Sequence, residues 1–395
     1  MKTQFSRALL LIALAHLIIE FSNNFLPVLY PRLMPLMGLN YTQVGVIALV
    51  AGTSMALAQP LFGYISDRWG AVPLATLSVM WIGVAMGLVG FAPSYGVLLV
   101  LISLGSLGSA AFHPPAAVIA ASNSGAKRGS GISVFSVGGN IGAALSPLWI
   151  ALALSWFGLP GVITILPLGL IFGVIFYLNL RSSSSVAARE AKPKAAAQGD
   201  AFIAGLVLIV VAMMFRSWFQ VGLTTYLPTW IESTGGTVAA GGSMLAIFAF
   251  SVSAGSLVGG AAGDRFGYWR ILVIALALLP LTFWSFLNGA GPVQIAGLFL
   301  SGVAVGTTLP NSIVLVLEAL PNQVGVASGL LMGLGWWPGG LGASFTGYLA
   351  DRFSLFTALS TLTFVPLFGL LCLLAYGLLA RARSRRTPEP VGEQA

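Results

Sequence analysis

Charge is what this sequence has least of. Only 7% of its 395 residues are Asp, Glu, Lys or Arg, against 57% hydrophobic, whereas a soluble domain carries about 25% charged residues. So little charge cannot clothe a water-facing surface, which excludes an ordinary soluble enzyme or binding domain. Cysteine is nearly absent too: the lone Cys372 excludes an internal disulfide and any cysteine-built metal cluster. The two histidines, His16 and His113, are far apart in the chain and lack neighbouring acids at ligand spacing, so no metal is expected. A phosphate-cradling loop and a nucleophile motif are also missing, so neither ATP hydrolysis nor another enzymatic activity is expected, and no cofactor.

What the sequence has is apolar length. A transmembrane helix needs about 20 consecutive apolar residues. Such runs lie near residues 8–31, 42–65, 73–92, 95–120, 130–153 and 160–180, then near 201–230, 239–262, 270–288, 293–318, 325–349 and 355–380. The expected fold class is an all-α membrane protein with twelve transmembrane helices in two pseudo-symmetric six-helix bundles. The 49 glycines and 21 prolines fit this solvent, because membrane helices tolerate both and use glycine for close packing. Lys2 and Arg7 before an apolar run imitate a secretory signal, but the run continues past His16 and Glu20 to Tyr30 without a small-residue cleavage site, and reads as the first span.

The net charge of +8 does not form one solvated face, so a nucleic-acid partner is not expected. The basic residues serve topology instead. With the N-terminus in the cytoplasm, fifteen Lys and Arg fall in cytoplasmic segments, only Arg32 and Arg352 in loops on the other side, and Arg216 within a span, as the positive-inside rule requires of short loops. The polar stretch 181–200 reads as a cytoplasmic linker between an N-terminal bundle at 1–180 and a C-terminal bundle at 201–380, and 381–395 as a cytoplasmic tail.

The two halves share a motif. Gly63-Tyr-Ile-Ser-Asp67-Arg68-Trp-Gly70 recurs as Gly260-Ala-Ala-Gly-Asp264-Arg265-Phe-Gly267, 197 residues on, each copy directly after the second span of its half. Repeated bundles place a transport site between the halves near the bilayer midplane. With this motif the chain resembles the major facilitator superfamily, and both halves carry the signature. The resemblance implies gating or structural roles for Asp67, Arg68, Asp264 and Arg265. The usual third basic position is replaced in the first copy by Ala71-Val72-Pro73. The run Gly138-Gly139-Asn140-Ile-Gly142-Ala-Ala-Leu-Ser-Pro147 is similar to a segment associated with antiporters, which gives Pro147 a structural or gating role. Phe112-His113-Pro114, Lys127-Arg128-Gly129 and Glu318-Ala-Leu-Pro321 resemble the fosmidomycin-resistance branch of bacterial exporters. That branch often has an acid after His-Pro, where this chain has Pro115. The resemblance implies a multi-pass protein of the bacterial inner membrane, with both termini cytoplasmic, that works as a monomer.

Ionisable residues at membrane depth are costly and are functional candidates by default. His16 and Glu20 lie one helical turn apart, with Asn23 and Asn24 continuing their face. His113 precedes two prolines in the fourth span, where satisfying the carbonyls those prolines free is the alternative role. Arg216 stands midway along the seventh span, 196 residues after Glu20 and thus at its repeat-equivalent place. The candidate substrate-binding or proton-coupling residues are therefore His16, Glu20, Asn24, His113, Arg216 and Asn311. Glu20 with a histidine would exchange protons, while Arg216 would bind an anionic group or release Glu20 when substrate arrives; a purely structural pair is the alternative. Glu318 at the end of the tenth span is a candidate gate, and Trp336 and Trp337 offer aromatic contacts or packing.

The expected activity is proton-coupled efflux of a small amphipathic or anionic compound, such as an antibiotic, by alternating access between two bundles. Its partners are then a small molecule, protons and the lipid bilayer. Proton-coupled uptake of a small organic anion is the alternative within transport, and a non-transporting receptor or scaffold the alternative outside it.

Overall fold

The computed structural model describes residues 6–124, 128–180, 200–319 and 335–384. Lys127, most of the expected linker and most of the C-terminal tail lie outside these residues, as do the side chains of Arg128 and Glu318.

Helix is the only regular structure among the described residues. The helices are α1 (Arg7–Asn23), α2 (Leu26–Met37), α3 (Tyr41–Trp69), α4 (Ala71–Gly87), α5 (Tyr95–Ser122), α6 (Arg128–Phe157) and α7 (Ile165–Leu180). They continue as α8 (Asp200–Ser233), α9 (Val238–Phe266), α10 (Tyr268–Asn288), α11 (Pro292–Ala319), α12 (Pro338–Arg352), α13 (Leu355–Leu362) and α14 (Val365–Ser384). Apolar surroundings cannot satisfy backbone N–H and C=O groups, so each crossing segment closes its hydrogen bonds within itself. Eleven spans of sufficient length and apolarity are described: α1 with α2, α13 with α14, and nine others. The expected eleventh span is described from residue 335 onward and contains α12.

Local sequence sets where the helices start and stop. Ser6 caps α1 by accepting from the Leu9 N–H. Asn40 and Gln43 form a reciprocal capping box on α3. Gly70 and Gly267 end α3 and α9 at φ +92° and +93°, a conformation that a side chain disfavours. The last glycine of the repeated motif is therefore the residue that lets each helix break.

The described residues fall into two compact units, those up to 180 with 221–253 and 340–359 in one, and 200–220, 254–319, 335–339 and 360–384 in the other. In the first unit α1 packs along α6, α4 lies against α5 and α7, and α3 packs on α5. The α1–α6 contact is close because of the glycine run: Gly138 and Gly142 lie against the Ala13 and Leu17 carbonyls, where any Cβ would overlap. In the second unit α10 packs against α11 and α14.

Candidate functional site

The first unit buries one charged cluster. α1 turns His16 and Glu20 to the same side, and α5 brings His113 to them, with its Nε2 at 3.2 Å from Glu20 Oε1 and that of His16 at 3.6 Å. The two imidazoles, remote in sequence, stand with ring centroids 5.4 Å apart. Asn24, at the break between α1 and α2, donates to Glu20 Oε2 at 2.8 Å and to the Glu20 carbonyl. Phe135 stacks on the His16 ring at 4.1 Å. A Cβ at Gly139 would overlap that ring from α6, so this glycine makes the space the imidazole occupies.

Hydrogen bonding fixes the tautomers. His16 Nδ1 faces the Phe135 carbonyl at 2.9 Å and His113 Nδ1 the Ser109 carbonyl at 2.8 Å. A carbonyl only accepts, so both Nδ1 atoms carry the proton. In neutral rings both Nε2 atoms then present lone pairs to Glu20 Oε1, itself an acceptor. One proton on this line converts repulsion into a charge-assisted hydrogen bond between His113 and Glu20. The Ser109 carbonyl is not one of those freed by Pro114 and Pro115, which belong to Ala110 and Ala111 four residues before them. His113 is therefore not spent on repairing the proline interruption.

The ligand atoms of His16, Glu20 and His113 all lie within 4.8 Å of one another. Two imidazoles and a carboxylate are a donor set that a divalent metal also accepts, so the separation of the histidines in sequence did not exclude such a site. A zinc ion needs a fourth ligand, whereas one proton is satisfied by two of these atoms.

The second unit holds a different charge. Arg216 on α8 is 3% exposed. Its Nε donates to Thr308 Oγ1 at 2.9 Å and its Nη2 to the Val305 carbonyl at 3.3 Å, both on α11. Its guanidinium carbon lies 4.9 Å from the centre of the Trp336 ring, a cation–π distance. Ser217, next along α8, donates to the Trp336 backbone carbonyl at 2.9 Å and ties that stretch of chain to α8. Asn311 is fully buried and uses its amide on the carbonyls of Gly259 and Thr307, so it clamps α11 to α9.

The repeated motif is placed as follows. Arg68 lies over the Tyr64 ring, Arg265 over Phe266, and Asp264 accepts from the Tyr268 hydroxyl at 2.8 Å. Asp67 is exposed at the end of α3. Pro147 is inside α6, and its carbonyl lies against Gly242 of α9. A third copy went unnoticed in the sequence: Gly347-Tyr-Leu-Ala-Asp351-Arg352 ends α12. Asp351 accepts from the Tyr41 and Thr42 backbone N–H groups, both at 2.8 Å, and from the Thr42 hydroxyl at 2.6 Å. It thereby caps the positive end of α3. Tyr226 adds a clasp beside it, its hydroxyl 2.8 Å from the Tyr41 carbonyl and 2.9 Å from that of Ala343. Arg32, one of the two loop arginines outside the cytoplasmic set, pairs with Glu232 at 3.6 Å.

The family model of the Major Facilitator Superfamily matches residues 12–343. The chain belongs to the major facilitator superfamily. It is a membrane transporter and not an enzyme. The chain is 26% identical over 372 residues to the fosmidomycin resistance protein of Escherichia coli, covering 91% of this chain and 90% of that protein. It is 29% identical over 381 residues to an uncharacterized MFS-type transporter, YfnC, of Bacillus subtilis, covering 93% and 92%. Among solved structures, a bacterial homolog of the human lysosomal transporter Spinster, inward-facing and occupied, superposes with a TM-score of 0.77 at 16% identity, covering 97% of this chain and 98% of that one. At that identity the likeness speaks for the fold alone.

Proposed function

We propose that this transporter exports a small amphipathic or anionic compound in exchange for protons, by alternating access of two bundles joined through residues 181–200. The observation that carries the reading is the convergence of His16, Glu20 and His113. It buries one carboxylate among groups that hold a proton at His113 Nε2 and pass it to Glu20 Oε1, with His16 as a second acceptor. Loss of that proton leaves a carboxylate facing two lone pairs, a strained state that favours a change of conformation or partner. The direction is supported by relatives named for drug resistance, among them the fosmidomycin resistance protein and a multidrug efflux pump of Streptococcus pneumoniae. The distribution of Lys and Arg supports a bacterial inner-membrane protein with both termini on the cytoplasmic side.

The test uses everted and right-side-out membrane vesicles with labelled fosmidomycin and a panel of hydrophobic drugs. An acid interior should drive uphill accumulation in everted vesicles, and a protonophore should abolish it. Uphill accumulation confined to right-side-out vesicles would contradict export, and accumulation insensitive to the protonophore would contradict proton coupling.

A further inference from the structure

Arg216 is a buried cation without a counter-charge among the described residues. None of the ion pairs among the described residues involves it, and its two hydrogen-bond acceptors, a hydroxyl and a backbone carbonyl, are both neutral. Burying an unpaired charge costs several kcal/mol, and at membrane depth such a cation normally pairs or faces a pathway. Thr308 and Val305 take Nε and one N–H of Nη2, which leaves Nη1 without a partner among the described residues. The space beside the guanidinium is bounded by Met213, Leu309, Ser312, Gly335 and Trp336 and is about the size of one water molecule. It admits a single oxygen atom. A carboxylate or phosphonate cannot enter whole, and the two-pronged grip that arginine usually gives such groups is blocked on the Nε side by Thr308.

We infer that Arg216 is the cargo's charge-reading residue: Nη1 takes one oxygen of an organic oxyanion end-on, with the rest of the molecule outside this space. An end-on contact reads charge and not head-group shape, so planar carboxylates and tetrahedral phosphonates or sulfonates are accepted alike, while neutral and cationic isosteres are rejected. Trp336, whose backbone carbonyl Ser217 engages, keeps the guanidinium oriented by its ring face and makes the wall apolar. The inference rests on the export reading only for the passage of the ligand; recognition needs no proton gradient.

The experiment is thermal stabilisation and calorimetry of the purified full chain in detergent with benzoate, phenylphosphonate, benzenesulfonate, benzamide, benzylamine and sodium chloride. The three organic anions should bind with dissociation constants within about tenfold of one another, and benzamide and benzylamine at least about thirtyfold more weakly. Arg216→Gln should erase the preference, whereas Arg216→Lys, which keeps a point charge, should retain it; the lysine variant also serves if the glutamine variant does not fold. Equal binding of benzamide and benzoate, equal stabilisation by chloride alone, or an anion preference that survives Arg216→Gln would each overturn the inference. Glu20→Gln should leave the preference intact. Failure of the anion preference in the wild type therefore sinks this inference alone, and failure of the proton role of Glu20 sinks only the coupling reading.

Discussion

Glu20 and Arg216 stand 196 residues apart at equivalent places in the two halves, and each is held by the fourth span of its own half. His113 of α5 reaches Glu20, and Thr308 and Val305 of α11 reach Arg216. Even the carbonyls correspond: Ser109, which takes the His113 ring, and Val305, which takes the guanidinium, are also 196 residues apart. One scaffold therefore carries two chemistries. In the first half an acid lies against two imidazoles, which in the proposed mechanism exchange a proton with it. In the second a cation meets neutral acceptors, which orient it and, among the described residues, leave its charge unanswered. A group that titrates suits a coupling ion, and a group that does not titrate suits an anion.

The comparison breaks most severely if the histidines are removed. His16→Gln combined with His113→Gln leaves Glu20 with Asn24 alone, and gradient-driven accumulation in vesicles should fall at least about a hundredfold. Anion binding to the purified protein should stay within about threefold of wild type, because Arg216 keeps its partners. Gly139→Ala should do similar damage by sterics: a Cβ there displaces the His16 ring, costing about 1–3 kcal/mol of stability by overpacking and uncoupling transport from the gradient. On the other side, Thr308→Val removes the acceptor at Arg216 Nε and should cost about 1.5–3 kcal/mol by denaturation in detergent, as expected for a hydrogen bond to a charged group. It should weaken anion binding without altering the pH profile of transport. The smallest effect belongs to neither site: Asp351→Ala strips the cap from α3 and should cost about 1 kcal/mol, with the ratio of protons to substrate unchanged.

How much of this the sequence shows depends on how local the signal is. The spans are legible because each is a continuous apolar run, and His16 with Glu20 because a separation of four residues is one helical turn. Gly70 and Gly267 are legible as a repeat, although their positive φ appears only in the structure. His113 as the partner of Glu20 is not legible, since 93 residues separate them and only the packing of α1 on α5 joins them. The same applies to Thr308, an ordinary threonine until α11 sets it beside Arg216. Asn311 is legible only in part. Its place at the repeat equivalent of Pro115 suggested a polar group lining a cavity; its Nδ2 donates to carbonyls of α9 and α11, while its buried Oδ1 has no partner among the described residues, and neither arrangement is readable from sequence. The third Gly-x-x-x-Asp-Arg copy at Asp351 was open to reading but lies off the 197-residue repeat, at the end of the eleventh span and not the second.

The most direct measurement compares wild type and Glu20→Gln in proteoliposomes, scoring substrate accumulation against an imposed pH gradient and substrate exchange in its absence. If Glu20 with its two histidines is the coupling site, the variant loses gradient-driven accumulation and keeps exchange. Accumulation by Glu20→Gln at the wild-type level under the same gradient would contradict the account.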